Sequence, residues 1–374
     1  MPRSIATQDL VRQPCDRRAA WAAALSCALG VACRDPAPAP APAPRRVDAS
    51  QPARPAVSAD VPRPVLVARD VPRSSPRSHT DAGELPRGVG FLGGDDEAIL
   101  RRICDAPIER MERNRGGSTI SFRVFFAGGH RGLFKPQQRS EVANYRAELA
   151  AYRMSRLLGL GRVPPACGRA LPREQLQRVA DASGDPEFSR RVMTELLGRG
   201  ELVPGAMLYW IPGGLEPVPG SEDHAALLDA SRPLPPERTT LAADLSTLLL
   251  FDYLNDNVDR WSGGNILRQR ATSTAPAGLM LYMDNGASFS AVNDGLGARP
   301  QDQAARLDAV QRFSHGFVQA LRGLTEERLR AAMASDPLGP CLSDVQVRAV
   351  LARRDRIVRH VDAVAAGGDP FVFP

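Results

Sequence analysis

The chain is 374 residues long, carries a formal charge of +6, and is 43% hydrophobic. Its charge is unevenly placed: residues 1–90 hold 13 Arg against 8 Asp and Glu, which leaves the remainder close to neutral. A nucleic-acid binder concentrates positive charge on one face of its folded part, so the high pI gives no support to a nucleic-acid partner, and none is expected.

The N-terminus reads as a targeting segment. Arg17 and Arg18 precede an uncharged run, 19–33, that stops before Arg34. Such a run is too short to span a bilayer but suits the apolar region of a signal peptide, so 1–33 is predicted to be one, of lipoprotein type. Gly30-Val31-Ala32-Cys33 has the small residues that precede an acylated Cys in a bacterial lipobox, and Cys27 after Ala24-Leu25-Ser26 is the competing processing site. The expected address is a lipid anchor in the bacterial envelope, or the cytoplasm if the segment is not a signal. Residues 34–90 form a Pro/Ala-rich linker, with 14 of the 33 prolines lying in 1–90. That composition cannot bury enough apolar surface to offset chain ordering and predicts disorder. About 284 residues remain, enough for a two-lobed domain. Cys104, Cys167 and Cys341 lack metal-like spacing; they allow one disulfide if the domain is exported, with its pairing open.

One residue count narrows the chemistry. Of 48 Lys and Arg, a single residue, Lys135, is Lys. In a chain that uses Arg nearly everywhere a cation is wanted, a lone ammonium marks a place where guanidinium does not serve; coding bias is the bland alternative. Around it, 118–126 is rich in Ile, Val and Phe, and Gly132-Leu133-Phe134-Lys135-Pro136 follows a Gly-Gly turn. This reads as a hairpin whose second strand ends at Lys135. A helix is predicted from Ser140, with Val142, Tyr145, Leu149 and Tyr152 on its apolar face. Glu148 shares that face, where a carboxylate is costly to bury unless a cation meets it. Gly116-Gly117-Ser118 reads either as an ordinary hairpin entry or as a loop presenting backbone N–H groups to phosphate.

The second half carries a denser signal. Residues 241–254 form a strongly apolar helix with Thr239 or Thr240 as N-cap, running into the polar loop 255–265. Two short strands, 266–270 and 279–283, then lead to Asp284-Asn285-Gly286. Asp259 in a loop after a buried helix, Asn265 six residues on, and Asp284 at a strand end follow the order that phosphotransferases use. In that order the first carboxylate accepts the nucleophile's proton and the other two residues hold metal over phosphates. Asp252 and Asp256 compete with Asp259 as the base, but Asp252 sits in the helix and Asp256 lacks a following Arg. His130, His224, His315 and His360 show no ligand spacing, Trp210 reads as core or hinge packing, and the Arg-rich C-terminal helices read as a solvated face.

At these residues the chain resembles the four-jointed type and its relatives among the atypical secretory-pathway protein kinases. The stretches that carry the resemblance are Gly132–Pro136, Ala147-Glu148-Leu149-Ala150-Ala151-Tyr152 leading to Val163-Pro164-Pro165, Phe251-Asp252-Tyr253-Leu254 with Asn257-Val258-Asp259-Arg260, and Met283-Asp284-Asn285-Gly286. It extends across roughly 115–365, with little to match in 170–235. The family implies an α+β, two-lobed protein-kinase-like fold, with a small β-rich N-lobe (91–212) that has one key helix, and a mainly helical C-lobe (213–374). It implies that Lys135 holds nucleotide phosphates with Glu148 as its helix partner, that Asp259 is catalytic, and that Asp284 binds metal, with ATP and Mg or Mn as cofactors. Two departures stand out. Trp261 occupies a place where relatives often have His, and Asn265 lies one position further from the Asp-Arg pair than a four-jointed protein would have it. The implied activity is phosphotransfer to Ser/Thr hydroxyls of exported or envelope proteins. A lipid or small-molecule hydroxyl is the next acceptor, and a pseudokinase that binds nucleotide or a partner without turnover is the alternative.

Overall fold

The computed structural model describes residues 90–140, 142–218, 224–260, 264–270, 278–289 and 300–374. The signal peptide, Cys27, Cys33, the linker and Trp261 of the sequence reading lie outside them. A short helix α1 (Asp96–Leu100) continues as a π-helical turn through Asp105. It leads into an antiparallel sheet of β1 (Ile108–Arg113), β2 (Phe122–Phe126), β3 (Arg131–Pro136), β4 (Ala166–Pro172) and β5 (Leu202–Tyr209), ordered β1-β2-β3-β5-β4. Period-two alternation buries Phe122, Val124, Phe126 and Phe134 on one face, and leaves Arg123, Leu133 and Lys135 on the other. Helix α2 (Tyr145–Leu157) joins β3 to β4, and α3 (Arg173–Asp181) with α4 (Pro186–Glu195) joins β4 to β5. These last two helices fill the stretch where the family resemblance is weakest.

After β5 the chain leaves this sheet. Strand β6 (Leu215–Pro217) pairs instead with β7 (Leu267–Gln269), which pairs with β8 (Met280–Leu281). The rest is mainly helical: α5 (His224–Leu228), α6 (Thr239–Asn255), α7 (Pro300–Asp308), α8 (His315–Arg322), α9 (Glu326–Ala334) and α10 (Asp344–Ala365). A parallel pair, β9 (Phe313–Ser314) with β10 (Phe371–Phe373), closes the C-terminus. The fold is therefore α+β and two-lobed, as expected. Helix α6 is apolar around most of its circumference, with Asp244 and Asp252 as buried exceptions, because it is the centre of this mainly helical lower lobe, packed by α5, α7, α10 and β9. Among the described residues no helix is long and apolar enough to cross a membrane.

Several local expectations are corrected. Helix α2 starts at Tyr145 rather than Ser140, because the Asn144 side chain caps it by accepting from the Arg146 N–H at 3.0 Å. Val142 therefore precedes the helix and is exposed. Neither Thr239 nor Thr240 caps α6; a 3₁₀ turn, Pro236–Arg238, feeds it directly, and Arg238 occupies the N-cap position without capping the helix through its side chain. Arg353 of α10 is buried, donating from Nε to the Leu254 carbonyl at 2.8 Å, so the C-terminal arginines are not all on a solvated face.

Cys104 and Cys167 form a disulfide that ties the turn before β1 to β4, while Cys341 is free and buried. The bridge closes a separation of 63 residues, for which chain-entropy arguments give about 4 kcal/mol. Replacing both cysteines by Ser should lower unfolding stability by about that amount. Urea melts of the oxidised wild type and the double variant measure it, and reduction of the wild type should reproduce the loss.

Candidate functional site

The site is assembled around the lone lysine. Strand β3 places Lys135 opposite Ala206 of β5, on the face turned away from Phe134 and the core. Its Nζ donates to Glu148 Oε1 of α2 in a short contact, and to Asp284 Oδ1 at 2.7 Å. The Glu148 side chain is 1% exposed, Lys135 16% and Asp284 51%, so the triad grades from core to solvent. Burial pulls the Lys135 ammonium down, but the charges of Glu148 and Asp284 outweigh it and hold it above its ordinary 10.5. Lys135 in turn holds the Asp284 carboxyl below its ordinary 3.8, against the effect of burial. The second oxygen of Glu148 accepts the Asn285 backbone N–H at 3.1 Å, so one buried carboxylate fixes both the lysine and the strand end after β8.

That strand end is tightly built. Asp284 adopts a left-handed conformation, φ +56°, which Asp tolerates better than most residues. At Gly286 a Cβ would lie 2.7 Å from the Val142 carbonyl, so only glycine lets this loop approach the segment before α2. The contact is sealed by the Asn144 N–H donating to the Gly286 carbonyl at 3.1 Å.

Helix α6 delivers the other half. It ends on Asp256, left-handed at φ +55°, whose N–H returns to the carbonyls of Asp252 and Tyr253. Asn257 accepts the Asp259 N–H on its Oδ1 at 3.1 Å, and its Nδ2 reaches the Asp284 carbonyl at 3.5 Å. The Asp259 loop and the Asp284 loop are thus joined through one amide. Arg260 joins them again. Fully buried, it donates to both Asp252 oxygens (3.1–3.3 Å), to Asn285 Oδ1 at 3.0 Å, and to the Met283 carbonyl in a short contact. Burial pushes the Asp252 carboxyl up, against the pull of Arg260.

These positions separate the competing carboxylates. Asp252 is clasped inside the lower lobe and Asp256 is buried at the helix end, whereas Asp259 is partly exposed. Asn265 lies beside Asp259, with Nδ2 donating to its carbonyl at 3.2 Å and to Oδ2 at 3.4 Å. With that amide nitrogen committed, Asn265 offers a cation its oxygen. Gly116, Gly117 and Ser118 form the β1–β2 turn, braced by Asn114 Nδ2 donating to the Gly116 carbonyl at 3.1 Å. Because Arg113 pairs with Phe122, and Phe122 with Phe134, this turn lies at the Lys135 end of the sheet. It is a hairpin connection at that end of the sheet. Asn257, Asn285 and the Asp252–Arg260 pair have no site role in the sequence reading; the signal available was Asp252, an Asp near the end of a strongly apolar helix.

The residues present suit a metal held over phosphates. Among the described residues no three His, Cys, Asp or Glu side chains converge into a self-sufficient cage. Asp284 and Asn265, the residues that the sequence reading implies as ligands, carry oxygen donors, and two such donors would leave most of a coordination shell to phosphate and water, as Mg²⁺ sites commonly do.

No protein-family model matches the chain. By sequence it is similar to glycosaminoglycan xylosylkinase of Homo sapiens, 23% identical over 303 residues that cover 68% of this chain and 71% of that protein. The Danio rerio xylosylkinase is 22% identical over 311 residues, covering 71% and 74% respectively. By structure it is similar to the Golgi casein kinase with Mn/ADP bound, with a TM-score of 0.58, 18% identity, and 73% and 78% of the two chains covered. The structure of hydra Fam20 with sugar gives a TM-score of 0.54 at 16% identity, over 77% of this chain and 95% of that one.

Two outcomes follow from this geometry. Asp252→Ala leaves the Arg260 guanidinium buried without its carboxylate and should cost about 3–5 kcal/mol in a urea melt. A carboxyl held below its ordinary value adds stability that is complete above that value and is lost as pH falls through the lower, folded one. NMR titration should therefore place Asp284 below 3.8 in the wild type, and Lys135→Met should move its midpoint upward.

Proposed function

We propose that the chain is a kinase of the secretory-pathway atypical type, to which its sequence relatives and fold are similar, and that it transfers the terminal phosphoryl group of ATP to a Ser or Thr hydroxyl of an exported protein. The observation that carries this reading is the Lys135 ammonium shared between buried Glu148 and half-exposed Asp284, on the same scaffold as Asp259. Glu148 orients Lys135 so that its remaining proton faces the nucleotide phosphates. Asp284 and Asn265 would hold Mg or Mn, which when bound would neutralise charge on the phosphate oxygens. Asp259, fixed by Asn257 and Asn265, orients the acceptor hydroxyl and takes up its proton as the new P–O bond forms and the bond from the γ-phosphorus to the ADP oxygen breaks, releasing ADP. The β1–β2 turn with Gly116, Gly117 and Ser118 covers the phosphates with backbone N–H groups.

Export is the second part of the proposal. A disulfide between Cys104 and Cys167 suits an oxidising compartment, which supports reading the N-terminal segment as a signal with a lipid anchor at Cys33 or Cys27. A sugar hydroxyl is the competing acceptor, favoured by the two sequence relatives named as xylosylkinases.

Labelled ATP with Mg or Mn, offered Ser/Thr peptides and xylose-bearing glycans in parallel, decides between the acceptors. Label on peptide supports the proposal, and label on glycan alone replaces it with the sugar reading. Failure of both acceptors, with nucleotide still bound, would leave a binding module. If transfer occurs, Asp259→Asn should reduce it by about 10²–10⁴-fold. Lys135→Arg should lose most transfer while its melting temperature stays close to wild type, because a planar fork cannot replace a point charge between a carboxylate and phosphate.

A further inference from the structure

Helix α2 carries Glu148 into the site, and its opposite face is gripped from the lower lobe. Residues seven apart on a helix share a face, so Arg146 and Arg153 lie together, roughly opposite Glu148. Both reach the loop between α9 and α10. Arg146 donates from Nη2 to the Leu338 carbonyl at 3.5 Å and from Nη1 to the Pro340 carbonyl at 2.5 Å. Arg153 donates from Nη1 to Ser335 Oγ at 2.6 Å and from Nη2 to Asp336 Oδ2 at 2.9 Å.

Asp336 is the centre of this grip. Its side chain is fully buried, and that of Arg153 nearly so. The same carboxylate accepts the Gly168 N–H of β4 at 3.0 Å and the Leu338 N–H at 2.9 Å. A Cβ at Gly168 would fall 2.1 Å from Asp336 Oδ1, so the strand residue has to be glycine for the carboxylate to enter. One lower-lobe side chain thereby holds both the helix that carries Glu148 and the edge strand of the upper sheet. A charge pair this dry is costly to form and costly to break from one side. It therefore sets where α2 sits rather than adjusting to it.

We propose that Arg153 and Asp336 are a positioning pair for the phosphotransfer site, clamping α2 to the lower lobe so that Glu148 meets Lys135 in the resting protein. The inference rests on the kinase reading only for its effect on turnover; the clamp itself is read without any substrate.

The test is hydrogen exchange on the nucleotide-free full chain, paired with kinetics. In Asp336→Asn the α2 amides should exchange faster while those of α6 and α10 stay protected, and kcat should fall by about a hundredfold, the scale expected when a group is displaced by about 1 Å. Arg153→Lys keeps the charge but forms fewer of the bonds, so it stays folded even if Asp336→Asn does not. It should show the same selective loosening of α2 and a severalfold fall in kcat, with KM for the acceptor unchanged. Unaltered α2 exchange in Arg153→Lys would overturn the clamp. Loosened α2 with full kcat would overturn its role in positioning. A wild-type protein that turns over no acceptor would defeat the kinase reading alone, because the exchange pattern still decides the clamp.

Discussion

A single ammonium group meets two carboxylates, and most of the site depends on that meeting. Glu148 is buried on a helix face that would otherwise be apolar, and a carboxylate there is tolerable only with a cation and hydrogen-bond donors at hand. Lys135 and the Asn285 N–H supply them. The requirement also runs outward, because the loop of Asp284 and Asn285 must come close enough to provide its share. Gly286 permits that approach, and the left-handed Asp284 turns its carboxylate back toward the lysine.

The same logic organises the lower half of the site. Arg260 is a fully buried guanidinium, and its donors are spent on Asp252, Asn285, Met283 and Asn265. The four acceptors come from three parts of the chain: Asp252 from the last turns of α6, Asn265 from the loop after it, and Met283 and Asn285 from the segment after β8. An incompletely satisfied charge at this depth is strongly destabilising, so the arrangement is specified as a unit. Asp259 sits next to Arg260 in sequence and is held by Asn257 and Asn265, while the residue itself stays partly exposed.

Energetically, α2 belongs to both lobes. Asp336 holds it from below through Arg153, while Asp96 receives Tyr152 at 2.9 Å and Arg156 at 3.2 Å from the segment preceding the sheet. Beyond its C-terminal end, Arg162 pairs with Asp244 of α6 at 3.0 Å, and the Tyr282 N–H donates to the Arg162 carbonyl at 3.0 Å. A helix tied at so many points by buried charge has little freedom to swing. The Lys135–Glu148 pair is accordingly a resting feature of the fold.

By itself, the sequence determined the elements whose signal is local. The alternation of β2 and β3, the apolar run of α6, and the turn formers around Asp259 and Asp284 are periodicities or punctuation readable within a short window. The lone lysine among arginines, and a glutamate on an apolar helix face, also pointed to each other without coordinates. What tertiary structure alone decided was every partnership across distance. Asp252 read as a rival base and became the counter-ion of Arg260; Arg353 read as surface and became buried; Asn265 came to rest beside Asp259. The cysteine pairing was open among three residues until the fold brought Cys104 to Cys167. The physical reason is the same in each case: the worth of a charge or a thiol is set by which groups replace its water, and those groups lie far away in the chain.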